Sequence, residues 1–288
     1  MDYTGGTVKA LGPSLGSAED TERTRPEHYP QGLQMGGNEE PDFSISETFF
    51  LLTSTDQHGG KLLKGEECVP HSQPWQVALY KRGRFNCSAS LISPNWVLSA
   101  AHCCSMRVRL GEHNLHKRDG PEQLRAVSQV IPHAQYEVCN HHHDIMLLQL
   151  ARPACLTSQV YPVALPTHCP HPGKACVVSN NETRTTGSPK SQVSLPDTLH
   201  CANISIISDT SCDKDYPGHL MNTMVCAGAE DGGTDSCEGD SGGPLVCRGV
   251  MQGIVSWGDV PCDNTTKPGV FTKVCHYLEW IGEVMERN

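Results

Sequence analysis

The stretch DSCEGDSGGPLVC, residues 235–247, decides how the rest of the chain is read. In it Ser241 stands among Gly239, Gly242 and Gly243, next to Asp240, and a short apolar run ending on a cysteine follows. Glycine reaches backbone angles closed to other residues, so the run is compatible with nothing more than a sharp surface bend. It is equally compatible with a serine held out for reaction. A serine hydroxyl is a weak nucleophile until a base takes its proton, and acyl transfer needs backbone N–H groups aimed at the developing oxyanion. The reactive reading therefore requires a base elsewhere in the chain.

Two further stretches supply the missing partners. In VLSAAHCC, His102 follows a strand-like apolar run, and in HHHDIMLLQL, Asp144 precedes another. Alone, His102 reads as a structural histidine and Asp144 as a strand cap. Together with Ser241 they give the chain order His, Asp, Ser, one of the orders in which a nucleophile, its base and an orienting carboxylate occur.

Composition bounds the alternatives. At 288 residues and 31.3 kDa the chain can bury a substantial core in one or two domains. All 15 cysteines lie between Cys68 and Cys275, which points to an oxidising compartment and cross-links confined to the later part. Of the net charge of −10, residues 1–61 carry −6, with ten Asp/Glu against four Lys/Arg. That balance favours neither nucleic acid nor a membrane surface as partner. No apolar run approaches the ~20 residues of a membrane span. The run Phe49-Phe50-Leu51-Leu52 is also shorter than the ~7–15 residues of a signal-peptide core. The expected secreted location thus lacks a recognisable secretory address in this chain.

Residues 1–48 are rich in Gly, Pro, Ser, Thr and acids, and they are expected to be disordered within a leader covering 1–61. From QPWQVALY onward, Trp75, Val77 and Leu79 alternate with polar or small residues, as in a half-buried strand. LISPNWVLSAA, MRVRLG, DIMLLQL, YPVAL, ACVVS, ISIIS, PLVC, MQGIVSW and GVFTKV repeat the pattern between turn residues, which favours an all-β sandwich or barrel arrangement. Only the C-terminus reads clearly as helix: Val274, Tyr277, Leu278, Ile281 and Met285 recur at intervals of three and four. The Pro/His-rich segment Leu165 to Gly173 reads as the link between two β halves.

The ordered set HSQPWQVALY, LSAAHC, RVRLGEHNL, DIMLL, GDSGGPLVC, IVSWG and KPGVFTKVC covers most of residues 62–288 and resembles the chymotrypsin-fold serine peptidases, specifically the kallikrein-related family. The resemblance implies an all-β fold of two six-stranded antiparallel barrels, about 62–165 and about 166–288, with a C-terminal α-helix. It implies that His102 is the base, Asp144 its orienting acid and Ser241 the nucleophile, with the backbone N–H groups of Gly239 and Ser241 as the oxyanion hole. Asp235 matches the base of a trypsin-like specificity pocket for Arg or Lys, where Ser236 helps and Gly258 and Gly269 form walls; outside the motif set it would read as a solvated loop acid. Ser256, Trp257 and Gly258 would pair with an extended substrate. Cleavage after Lys61 would free the ammonium of Leu62 to pair with Asp240. A solvated linker is the alternative for Lys61-Leu62, where this chain has Leu62-Leu63-Lys64-Gly65 in place of the family's Ile-Val-Gly-Gly.

The same resemblance implies six disulfides: Cys68–Cys201, Cys87–Cys103, Cys169–Cys275, Cys176–Cys247, Cys212–Cys226 and Cys237–Cys262. Cys104, Cys139 and Cys155 fall outside that pattern. It further implies a monomer without cofactor or metal, acting on protein or peptide substrates, activated by a trypsin-like peptidase and blocked by protein inhibitors of serine peptidases. Cys139 and His141 to His143 read as an exposed polar loop; Zn²⁺ bound there would disturb Asp144. Sequons at Asn181, Asn203 and Asn264 suit a secreted glycoprotein. The chain departs from the family after ACVVS, where Asn180-Asn181-Glu182-Thr183 stand in place of Gly-Trp-Gly. That departure supports a second expectation, a catalytically impaired member of the fold that binds partners.

Overall fold

Thirteen strands of the described residues account for nearly all of the regular structure. The computed structural model describes residues 66–103, 107–180, 198–229, 241–258 and 267–288. They all fall within one unit, Asp56–Asn288. The leader 1–61, the Lys61–Leu62 junction, Cys104, Cys237, Cys262, Asn181 and Asn264 lie outside the described residues.

Strands β2 (Gln76–Lys81), β3 (Arg84–Ser93), β4 (Trp96–Ser99), β5 (Arg107–Leu110), β6 (Gln123–Pro132) and β7 (Met146–Leu150) close an antiparallel barrel in the order β2-β3-β4-β7-β6-β5. A second barrel is built from β8 (Ala175–Asn180), β9 (His200–Ile207), β10 (Met224–Gly228), β11 (Pro244–Cys247), β12 (Val250–Trp257) and β13 (Gly269–Lys273). It runs β8-β9-β10-β13-β12-β11 and closes through β11 pairing with β8. The two expected six-stranded barrels are both present.

Each end of the region reaches across to the other half. Strand β1 (Glu66–Glu67) pairs with β9 of the second barrel, not with the first barrel that the 62–165 boundary expects. The Cys68–Cys201 disulfide and the Cys68 N–H donated to Leu199 O at 2.9 Å secure it there. At the other end a 3-10 turn, Val274–Tyr277, leads into α2 (Leu278–Arg287). Its buried Tyr277, Ile281 and Val284 join the core of the first barrel, as the three-and-four spacing anticipates.

Several strands depart from their sequence pattern for physical reasons. Gln76 to Leu79 are buried on both faces, where alternation predicts a half-buried strand, because the outer face of β2 is covered by the second barrel. YPVAL forms no strand: Val163 N–H donates to Leu91 O and Ala164 bridges to Val250, so the segment ahead of the expected linker is stitched to both barrels instead. Strand β6 shows no clean alternation because its apolar residues fall on both faces: Leu124 and Val130 are exposed, while Gln123 and Arg125 share the half-buried face with Val127 and Ile131. The short helix α1 (Asp209–Asp215) is also unanticipated; the Ser208 hydroxyl caps it by accepting from Ser211 N–H at 3.2 Å.

Among the described residues five of the six expected disulfides are formed, Cys68–Cys201, Cys87–Cys103, Cys169–Cys275, Cys176–Cys247 and Cys212–Cys226; the expected Cys237–Cys262 pair lies outside them. Cys139 and Cys155 are exposed free thiols. Asn203 is exposed on β9.

Because Ile281 is 2% exposed within the first barrel's core, Ile281→Ala is expected to lower the unfolding free energy by about 2–5 kcal/mol in urea titration. Glu279→Ala, on the exposed face of the same helix, is expected to stay within about 0.5 kcal/mol of the wild type.

Candidate active site

Antiparallel pairing of β4 with β7 sets Ser99 opposite Met146. The chain just beyond β4 and the chain just before β7 are therefore neighbours, which brings His102 and Asp144 together although 42 residues separate them. His102 sits in a 3-10 turn, Ala101–Cys103, whose last residue is anchored to β3 by the Cys87–Cys103 disulfide. Its backbone N–H donates to Asp144 Oδ1 at 3.0 Å and its ring Nδ1 lies 2.7 Å from Oδ2. An ionised carboxylate only accepts, so Nδ1 carries the proton and Nε2 is the basic nitrogen of the neutral ring.

Asp144 is completely buried, and the second barrel contributes directly to its environment. From β12, Ser256 Oγ donates to Oδ2 at 2.6 Å; from β13, Thr272 Oγ1 donates to the main-chain oxygen at 2.8 Å. Burial alone would raise the Asp144 carboxyl, but contacts from His102, His141 and Ser256 outweigh it and hold the group well below the usual carboxylate range. It is a fixed negative charge facing His102.

Ser241 reaches the same place by a different route. Ser88 N–H donates to Ser241 O at 2.9 Å and Gly242 N–H donates to Val255 O at 2.8 Å, so both barrels grip the turn. Gly242 has φ +80°, and a Cβ there would collide with Ser99 Oγ and Ser88 O and lie 3.2 Å from Ala100 N. Only glycine lets the backbone beside Ser241 press onto the strand end that leads to His102. Gly239 and Asp240, like Asp235 and Ser236, lie outside the described residues.

At the far end of β12, Trp257 packs edge-on against Tyr216 with ring centroids 5.0 Å apart. A Cβ on Gly258 would stand 3.9 Å from Gly269 Cα, so the two glycines expected as pocket walls face one another. The histidine loop does not converge as a unit. His141 Nδ1 stands 3.5 Å from Asp144 Oδ2 with its ring edge-on to His102, and the three groups offer ligand atoms within 4.8 Å of one another. His142 instead faces Glu137 at 3.7 Å, His143 stacks on His133 and lies 3.1 Å from the Tyr277 hydroxyl, and Cys139 is exposed. His141 and His143 both have left-handed backbone, φ 54° and 53°, which fans alternate rings apart.

The sequence reading names Ser256 for substrate pairing and misses its bond to Asp144. It misses Thr272 and Gln76 altogether. The available signal was a polar side chain inside an apolar strand, which in a barrel closed on both sides must find a buried partner.

The Trypsin family model matches residues 62–281. The chain belongs to the trypsin family. Among curated relatives, kallikrein-15 of Saguinus oedipus is 76% identical over 83% of this chain and 97% of its own length. Human kallikrein-15 is 74% identical over 84% of this chain and 97% of its own length. The solved structure of mouse neuropsin, a serine protease expressed in the limbic system of the brain, superposes with TM-score 0.71 at 47% identity, covering 78% of this chain and all of that one. This trypsin-family chain is therefore a kallikrein-related serine endopeptidase, and its partners are protein substrates and serine-peptidase inhibitors.

A carboxylate with a depressed folded-state pKa stabilises above its unfolded value, about 3.9, and that contribution is lost as pH falls through the folded value. Urea titration of the wild type is expected to show unfolding free energy declining below about pH 4, and Asp144→Asn should lack this part of the decline. Parallel pH profiles would contradict the assignment of a buried, ionised Asp144.

Proposed function

We propose that the chain is a secreted zymogen of an endopeptidase that hydrolyses peptide bonds after Arg or Lys, with His102, Asp144 and Ser241 as its catalytic residues. One observation carries the reading: the 2.7 Å pair between His102 Nδ1 and a buried Asp144, with the Ser241 turn gripped beside it. His102 Nε2 takes the Ser241 Oγ proton as that oxygen attacks the scissile carbonyl carbon. The carbonyl π pair moves onto oxygen, between the N–H groups of Gly239 and Ser241. The intermediate collapses as the C–N bond breaks, and His102 returns the proton to the departing amine. Water then repeats the sequence on the acyl-enzyme and releases the acid. Asp144 stays ionised and stabilises the transient imidazolium.

Specificity for Arg or Lys would rest on Asp235, which matches the base of the family's specificity pocket. A carboxylate buried in such a pocket needs a cation to offset its desolvation, Ser236 would help bind it, and Gly258 and Gly269 would leave room for a long side chain. Ser256-Trp257-Gly258 offers the edge for an extended substrate. A trypsin-like peptidase cutting after Lys61 would free the Leu62 ammonium to pair with Asp240 and order the oxyanion turn. The processed enzyme would be a monomer. The five disulfides among the described residues support secretion.

The replaced Gly-Trp-Gly segment favours a second reading, a member of the fold that binds partners without turnover. One experiment decides between them. The full chain is treated with immobilised trypsin, which is then removed, and cleavage of arginyl, lysyl and aromatic amides is compared with that of Ser241→Ala. The peptidase reading expects arginyl and lysyl amides to be preferred and kcat to fall roughly 10⁶-fold in the variant. Equal rates for the two proteins would remove the enzymatic claim.

A further inference from the structure

We propose that Gln76 is a positioning residue, which holds the Ser241 turn in register with β8 through a buried chain of hydrogen bonds; the role rests on the peptidase reading above. Gln76 lies on β2 among Val77, Ala78 and Leu79 and is 1% exposed. Its amide oxygen accepts from Ser179 Oγ at 2.9 Å and its amide nitrogen donates to Ser88 Oγ at 3.2 Å. Ser88 then donates its backbone N–H to Ser241 O at 2.9 Å, while its own carbonyl accepts from Ser99 Oγ at 2.9 Å. Gln76, Ser88, Ser99 and Ser179 are all buried.

This chain crosses between the barrels. Ser179 belongs to β8, directly before the point where the sequence leaves the family pattern, and β8 pairs with β11, which follows Ser241. Ser88 belongs to β3, and Ser99 adjoins the turn bearing His102. An apolar side chain of similar size would fill the same space. An amide adds direction: one end only accepts and the other only donates, so the lateral position of β3 relative to β8 is set along with the Ser88 N–H that grips Ser241. In a water-free interior each bond is strong and each stranded partner costly, so the network tolerates little displacement. Gln76 is remote from substrate and acts only through where it puts the Ser241 backbone. Misplacing a reacting group by about 1 Å costs about 100-fold in rate.

The test uses the full chain, activated as above, with Gln76→Met and with the triple variant Gln76→Met/Ser88→Ala/Ser179→Ala. Measured are kcat and KM on an arginyl amide, Tm, and hydrogen exchange of the Gly242 amide. Gln76→Met is expected to lower kcat about 100-fold with KM close to wild type, and to lower Tm. The triple variant strands no hydroxyl, so its Tm should recover while kcat stays low, and Gly242 exchange should be faster in both. If Gln76→Met does not fold, the triple variant carries the comparison. Wild-type kcat in either variant, or kcat returning together with Tm, overturns the proposal. If the wild type itself cleaves no faster than Ser241→Ala, the peptidase reading fails instead. Gly242 exchange then decides the role of Gln76 alone: unchanged exchange overturns it and faster exchange supports it.

Discussion

A buried carboxylate is the constraint around which this molecule is organised. An unpaired charge cannot be kept in a protein interior without a penalty of several kcal/mol, so Asp144 must draw compensation from whatever surrounds it. It draws it from both halves: His102 through two bonds from the first barrel and Ser256 Oγ from the second, while Thr272 on the adjacent strand ties down the Asp144 main chain. Docking of the barrels and assembly of the site are consequently one event. A displacement that separated the halves would leave the charge partly uncompensated, which is itself a restoring force.

The same logic explains why the two halves exchange terminal arms. Strand β1 and its disulfide fasten the beginning of the region to the second barrel, and α2 fastens the end to the first. The cleft between the barrels can then present His102 and Ser241 from short turns anchored to strands, with Gly242 where the two backbones touch. Pre-organisation of this kind matters for acyl transfer, because a group already in place need not be reorganised during reaction. Gln76 extends the scheme inward, since with its own β2 the two hydroxyls it joins, on β3 and β8, tie three strands together behind the Ser241 turn.

The loop before Asp144 shows how local backbone geometry divides a run of like residues. Three consecutive histidines read as one cluster, yet left-handed backbone at the first and third turns them to different neighbours. His141 frames the cleft beside His102, whereas His143 joins His133, Tyr277 and Trp280 under the C-terminal helix. One short loop thus touches both the His102–Asp144 pair and the arm that secures the first barrel.

Sequence by itself determined the all-β class, most of the strands, the C-terminal helix and the residue types of the site, while the choice of barrels over a sandwich came from the resemblance of its motifs to a known family. Those features follow from short-range periodicity and from motifs whose glycines and serine occupy fixed offsets. Strand β6, with apolar residues on both faces, and helix α1, only two turns long, left too weak a local pattern to be seen. Tertiary structure alone decided that Ser256 and Thr272 serve Asp144, that β1 joins the second barrel, that the histidines part company, and that Gln76 has buried partners. The bonds Ser256 and Thr272 make to Asp144 span 112 and 128 residues, and that from Ser179 to Gln76 spans 103. No local pattern carries such separations, because a polar residue in an apolar strand announces that it needs a partner but not which one the closed barrels will bring to it.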